Sequence, residues 1–229
     1  MKKYLFIVLL IGFWNCKESH LLNFEIQLSE NNSEDTPLII LLHGYGNNAK
    51  AYSQKGDFSI GINVIYLDAP FAMIPLLGLN KWYDFKIENG DTTSNQNHIK
   101  ESVHLVLNTI KNVINENEIK SKHVYIGGHS QGGNISYKIA LNYPEFFKGF
   151  IISSGRLPVE YTVKNDLSHY QNKKALIIHG KNDSVLELKY SSAGKNLLEK
   201  LGISTDYVIK EGGHSQTPDF YEIVENWIK

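Results

Sequence analysis

His123-Val124-Tyr125-Ile126-Gly127-Gly128-His129-Ser130-Gln131-Gly132-Gly133-Asn134-Ile135 is the stretch that decides the fold. His123 to Ile126 reads as a strand, and beyond Gly133 the apolar residues Ile135, Ile139 and Ala140 recur at helical spacing. Between strand and helix a serine has Gly128 and Gly132 two residues to either side, the pattern of a sharp turn that lifts a nucleophile out of the backbone. Glycine is required at both places because the turn is strained and side chains there would collide with the neighbouring strand and helix. The Gly-x-Ser-x-Gly string alone is common by chance. Its flanking strand and helix make Ser130 the candidate nucleophile rather than a serine on a surface turn.

On either side of this stretch the chain alternates between two kinds of segment. Pro37 to Leu42 is a continuous apolar run, as expected of a strand buried on both faces, and Ile62 to Leu67, Gly149 to Ser153 and Ala175 to Ile178 share that character. Asp206 to Ile209 is the last strand pattern, and Leu22 to Leu28 alternates as an edge strand would. Val103, Val106, Leu107, Ile110, Val113 and Ile114 mark a helix from about Lys100 to Asn117, and further helices are predicted over Glu187 to Leu201 and Pro218 to Ile228. Strands alternating with helices in this way specify an α/β fold: a doubly wound, mainly parallel sheet flanked by helices, in a single domain.

A serine hydroxyl is a weak nucleophile at neutral pH and needs a base to take its proton and a carboxylate to orient that base. In a serine-acid-histidine chain order both partners lie downstream. The strand Ala175 to Ile178 runs into His179-Gly180-Lys181-Asn182-Asp183, which puts Asp183 on a loop at a strand's carboxyl end, where open sheets of this class build their sites. The last strand runs into Glu211-Gly212-Gly213-His214, so Asp183 is the candidate acid and His214 the candidate base. His43 and His179, each followed by glycine at a strand end, read as residues that shape those turns. The charge that develops on a tetrahedral intermediate needs two backbone N-H donors. Gln131, next after the nucleophile, supplies one, and Tyr45, in the glycine-bearing loop Leu42-His43-Gly44-Tyr45-Gly46, supplies the other.

Apolar residues make up 42% of the 229 and charged residues 21%, and the formal net charge is −1, so neither disorder nor nucleic-acid binding is indicated. With Cys16 the only cysteine, an intramolecular disulfide and a thiolate zinc site are excluded. Lys2 and Lys3 precede an apolar run from Tyr4 to Trp14 that is too short to span a bilayer as a mature helix. Residues 1–15 therefore read as a signal peptide. Because Cys16 follows directly, the segment resembles a bacterial lipoprotein signal with Cys16 as the lipidation site, the alternative being a plain signal with an incidental cysteine. The expectation is an exported, cell-envelope protein, bound to membrane through a lipid anchor only if Cys16 is acylated. Residues 16–35 then form a linker and edge strand, and 36–229 the catalytic domain.

With "LLHGYGNN", "GGHSQGG", "HGKND" and "GGHS" in this order, the chain resembles the small carboxylesterase/phospholipase group of α/β-hydrolases that includes the acyl-protein thioesterases. "KWYDF" (Lys81 to Phe85) and "SSGRLP" (Ser153 to Pro158) are similar to further segments of that group. The resemblance covers nearly the whole domain and implies cofactor-free cleavage of an ester or thioester through an acyl-enzyme. It departs from the group's pattern twice. Ser184-Val185-Leu186-Glu187 replaces a hydrophobic-hydrophobic-Pro stretch after the acid, and Ser215-Gln216-Thr217-Pro218 replaces an apolar residue after the base.

The substrate is expected to be a small-molecule or acylated-polymer ester. Phe71 to Leu79, apolar and broken by Pro75 and Gly78, reads as a loop or short helix that either lines an acyl pocket through residues such as Leu76 or completes the core. Trp82, Tyr83 and Tyr45 could offer flat faces to a sugar ring or an aromatic acid, which keeps an exported feruloyl or acetyl esterase of polysaccharides open. An acyl thioesterase or lysophospholipase, an acyltransferase and a non-catalytic binding protein of the same fold are the other readings.

Overall fold

The structure, a computed structural model, describes residues 21–59, 61–88, 91–157 and 166–229. The proposed signal (1–15), Cys16 and Pro158 of the "SSGRLP" segment lie outside the described residues.

The chain runs β1 (Phe24–Gln27), β2 (Leu38–Leu42), α1 (Ala49–Ser53), β3 (Asn63–Leu67), β4 (Phe71–Ile74), β5 (Leu79–Lys81), β6 (Phe85–Glu88), β7 (Asp91–Ser94), α2 (Gln96–Glu116), β8 (Val124–His129), α3 (Gln131–Asn142), β9 (Gly149–Ser153), β10 (Lys174–Gly180), α4 (Leu188–Lys200), β11 (Ser204–Lys210) and α5 (Phe220–Ile228). Seven strands form one sheet in the order β1-β3-β2-β8-β9-β10-β11, with only β1 antiparallel to its neighbour. This is the doubly wound, mainly parallel sheet expected from the sequence.

The apolar runs form the central strands because both faces of the sheet are covered. Along β2 the side chains alternate: Leu38, Ile40 and Leu42 enter a core shared with α2, α3 and α4, while Ile39 and Leu41 enter a second core against α1 and α5. The chain winds from β2 outward to β3, then crosses back over β2 to β8 and proceeds to β11. The direction of winding therefore reverses between β2 and β8, and in open α/β sheets the crevice outside the carboxyl ends of such a strand pair is where ligands bind. The loop Gly44 to Asn48 leaves β2 at that point, and Ser130 leaves β8 beside it.

Two differences from the sequence reading have local causes. α2 begins at Gln96, one turn earlier than the apolar periodicity indicates, because the Asn95 side chain caps it by accepting from the amides of Asn97 and His98. The segment from Phe71 to Ser94 is two small antiparallel hairpins, β4 with β5 and β6 with β7, with one 3-10 turn at Pro75–Leu77. Its strands are only three or four residues long and none is buried, so they leave no continuous apolar run to read. Among the described residues no helix is long and apolar enough to cross a membrane.

Candidate active site

Ser130 stands between the last residue of β8 and the first of α3 with φ 53° and ψ −119°, a strained conformation for a residue with a side chain. A Cβ on Gly128 would come to 2.6 Å from the Leu42 carbonyl oxygen, and one on Gly132 would overlap the same oxygen. The two glycines thus let the elbow sit directly against the end of β2. The Ser130 amide donates to the Ser153 carbonyl at 2.9 Å, which fixes the turn to β9 as well.

Three side chains from three carboxyl-terminal loops meet here. His214 Nε2 lies 2.8 Å from Ser130 Oγ, and His214 Nδ1 lies 2.7 Å from Asp183 Oδ2. A carboxylate only accepts, so Nδ1 carries the imidazole proton and Nε2 presents a lone pair to the serine hydroxyl. Asp183 is fully buried at its side chain. Burial alone would raise its pKa, but the Leu186 amide, the His214 imidazole and the Val185 amide outweigh that and hold the carboxyl below the ordinary carboxylate range. Oδ1 accepts from Val185 at 2.9 Å and from Leu186 at 2.8 Å, so Ser184-Val185-Leu186 forms a turn closed on the aspartate itself. His179 Nε2 donates to the Leu186 carbonyl at 2.7 Å and braces that turn from beneath. These contacts absorb the departure after the acid that the sequence displays.

The ring of His129 packs against His214 with centroids 5.2 Å apart. Burial, and then the field of His214, push the His129 pKa down to about 3, so this neighbour of His214 is uncharged at neutral pH.

On the other side of Ser130 lies the Gly44 loop. A Cβ on Gly44 would be 3.5 Å from the Ser130 Cβ, so this loop, with Tyr45 next in it, packs directly against the elbow. The loop is stitched to β5: Gly46 donates to Asn80 O at 2.9 Å, and Asn80 donates to Asn47 O at 3.0 Å. His43 fastens its base, with Nδ1 donating to Gly44 O at 2.7 Å and Nε2 accepting from the Ala69 amide at 3.0 Å. Gln131 is the first residue of α3, where helical amides have no intrahelical acceptor and the helix dipole favours negative charge.

A cavity of about 350 Å³ opens over Ser130 and His214. Tyr45, Tyr83, Phe85, Ile87, Val185 and Leu186 supply most of its apolar wall, and Thr92, Asn134 and Arg156 are polar members beyond the elbow. Two expected pocket residues are placed elsewhere. Leu76 is 99% exposed beside the tip of the β4-β5 hairpin and does not line the cavity. Trp82 is completely buried: its Nε1 donates to His43 O at 2.7 Å, its amide donates to Gln131 Oε1 at 3.0 Å, and its carbonyl accepts from Ser102 Oγ at 2.5 Å. It holds the Gly44 loop against the elbow from behind and offers no face to a sugar. Tyr83 does line the cavity, with its hydroxyl accepting from Asn134 Nδ2 at 2.6 Å. Phe85, Ile87, Asn134, Val185, Leu186 and Arg156 were not singled out in the sequence. Phe85 and Arg156 do fall within the "KWYDF" and "SSGRLP" segments and Val185 and Leu186 within the stretch after Asp183, and Arg156 is the only arginine among 23 lysines and arginines.

The sequence profile described as Phospholipase/Carboxylesterase matches residues 23–229. Acyl-protein thioesterase 1 homolog 1 of Dictyostelium discoideum is 26% identical over 201 residues, covering 83% of this chain and 88% of its own. Carboxylesterase SOBER1 of Arabidopsis thaliana is 26% identical over 212 residues, covering 83% and 89%. Among solved structures, acyl-protein thioesterase 2 of Zea mays superposes with a TM-score of 0.74 at 22% identity, covering 90% of this chain and 97% of its own. A match running from just before β1 to the last residue includes every strand and loop that brings the cavity together, and the chain belongs to the phospholipase/carboxylesterase family of α/β-hydrolases.

Proposed function

We propose that the protein hydrolyses carboxylic esters through an acyl-enzyme on Ser130. The observation that carries this reading is the continuous hydrogen-bonded relay Ser130 Oγ, His214 Nε2, His214 Nδ1, Asp183 Oδ2, with both links under 3 Å. His214 takes the Ser130 proton as Oγ bonds to the carbonyl carbon, and the carbonyl electron pair moves onto oxygen between the Tyr45 and Gln131 amides. Asp183, kept ionised, stabilises the imidazolium. The tetrahedral species collapses as His214 gives its proton to the departing alcohol oxygen. A water then repeats the sequence on the acyl-serine, and the free acid leaves with Ser130 restored.

The cavity's size and mainly apolar wall suit a small or medium acyl ester. The similarity to a relative named acyl-protein thioesterase favours testing thioesters beside esters. The burial of Trp82 speaks against a sugar platform at that position. A fluorophosphonate probe tests the reading: the wild type is expected to be labelled at Ser130, and Ser130→Ala not at all. An unlabelled wild type that also turns over neither p-nitrophenyl esters nor acyl thioesters would leave a binding module on this fold.

Export as a lipoprotein is part of the same proposal. Leu22, six residues after Cys16, is buried with its amide donating to Thr109 Oγ1 on α2 at 2.9 Å, so acylation of Cys16 would tether the enzyme within about 20 Å of the membrane surface. Detergent partitioning and mass spectrometry of the mature N-terminus decide it. A soluble protein with unmodified Cys16 would remove it.

A further inference from the structure

We infer that Arg156 is the specificity determinant of this site and that the preferred ester carries an anionic oxygen group, a carboxylate or phosphate, a short spacer away from the scissile bond. The inference rests on the hydrolase reading above and names the substrate class for it.

The chain meets every other need for positive charge with lysine, and its one arginine lines the cavity over Ser130. Its place is fixed from the nucleophile's own helix. Asn134 sits one turn beyond Ser130, its amide donating to the Ser130 carbonyl at 3.0 Å, and its Oδ1 accepts from the Arg156 backbone N-H at 2.7 Å. The other end of the same amide group donates to the Tyr83 hydroxyl, so the Asn134 side chain ties Arg156 and Tyr83 to the helix that starts at the elbow.

Among the described residues no carboxylate pairs with Arg156, and no residue lining the cavity carries a carboxylate. The guanidinium lies 6.0 Å from the Tyr190 ring, a placement that restricts the side chain but leaves its hydrogen-bonding edge open. The nearest acidic side chain along the chain from Val185 and Leu186, Glu187, is taken by Lys189 at 2.6 Å. A planar, permanently charged fork with five donors, on a cavity wall that carries no carboxylate, matches an oxyanion in a way that a lysine would not.

Matched esters read this directly. Monomethyl glutarate, with the anion on the acyl side, is compared with methyl 5-methylhexanoate, in which an isopropyl group replaces the carboxylate. The acetate of 4-hydroxybutyrate is compared with the acetate of 4-methylpentan-1-ol for the alcohol side, and 2-acetoxyethyl phosphate with 2-methoxyethyl acetate for phosphate. For at least one pair the wild type is expected to prefer the anionic member in kcat/KM on the order of tenfold, mostly through KM, and to lose that preference as salt is raised. Arg156→Gln should bring the ratio to one or below, and Arg156→Lys should restore part of it. Because each ratio is taken within one variant, a general loss of folded enzyme cancels. Hydrolysis of the neutral esters with no anionic preference in any pair, or a preference unchanged in Arg156→Gln, overturns the inference and leaves the hydrolase standing. Failure to hydrolyse any of the six, with no fluorophosphonate labelling, takes both down.

Discussion

The elbow at the end of β8 and the excursion from Phe71 to Ser94 face each other across one cavity and are held by opposite means. The elbow is local: its strand, its glycines and its helix follow one another within about twenty residues, and its backbone is squeezed between β2 and β9. The excursion is exposed over most of its length, with Leu76, Leu77 and Ile87 at 99%, 64% and 66%, yet Trp82 and Tyr83 within it are at 0% and 4%. Those two are pinned by partners 20 to 51 residues away, namely His43, Ser102, Gln131 and Asn134. A nucleophile can be set by its neighbours in sequence, whereas the wall that faces it is set by two buried side chains on an otherwise solvated ribbon.

The largest effects are expected at the relay. Ser130→Ala or His214→Ala should lower kcat by roughly four to six powers of ten, and Asp183→Ala by somewhat less, because these groups act as a unit and the oxyanion donors remain. Steady-state rates on p-nitrophenyl acetate measure this. Near-full activity in any one variant would take that residue out of the chemistry.

Next in size is the pin on the other wall. Trp82→Ala deletes a fully buried indole and unties His43 O, at an expected cost of roughly 3–5 kcal/mol in urea unfolding. Activity should fall with it, since the Gly44 loop loses its support. A variant with ordinary stability would show that the excursion is fastened elsewhere.

The joint between the two regions also carries a pH dependence. Burial first, and the nearby Lys55 to a smaller degree, hold the His43 pKa down at about 4 against the opposing pull of Gly44 O and Asp68; His129 is held at about 3. Both native pKa values lie below the unfolded 6.5, so the unfolded chain binds more protons: this contribution is complete above pH 6.5 and is lost as pH falls toward 4. Between pH 5.5 and 4.5 each histidine should add a slope approaching ~1.4 kcal/mol per pH unit. Urea midpoints in that window for wild type and His129→Asn should differ in slope by about one proton. A stability that stays flat from pH 6.5 to 4.5 would mean that these rings take up protons without leaving the core.

What the sequence displayed follows the same division. The strands, their parallel order and the position of the elbow were legible because burial on both faces writes a continuous apolar run and because Gly128 and Gly132 are forced by contact with the end of β2. Asp183 and His214 were legible from chain order and from glycine at the strand ends. The excursion was not: Trp82 reads as an aromatic near the site, and nothing local tells that its ring faces inward to His43 while Phe85 and Ile87 face the cavity. Arg156 was legible only as one position of the "SSGRLP" segment, its place hidden until the bond to Asn134 set it beside the helix that follows Ser130.

The smallest expected effect makes the sharpest contrast. Leu76 is a large apolar side chain that buries almost nothing, so Leu76→Ser removes no burial free energy and should change stability by less than about 0.5 kcal/mol. Nor does Leu76 set the turn it occupies. Pro75 opens it with its fixed φ, and Gly78, at φ 62° with its amide donating to Pro75 O at 3.0 Å, closes it in a conformation that a side chain would penalise by roughly 1–2 kcal/mol. Gly78→Val should therefore lower stability measurably while Leu76→Ser does not, although the serine removes far more apolar surface. With the cavity lined by Phe85 and Ile87 instead, Leu76→Ser should also leave KM unchanged for short and long acyl esters alike. A KM that rose with chain length only in Leu76→Ser would mean that the hairpin tip folds over the substrate, and the excursion would then be a cover for the site as well as its wall.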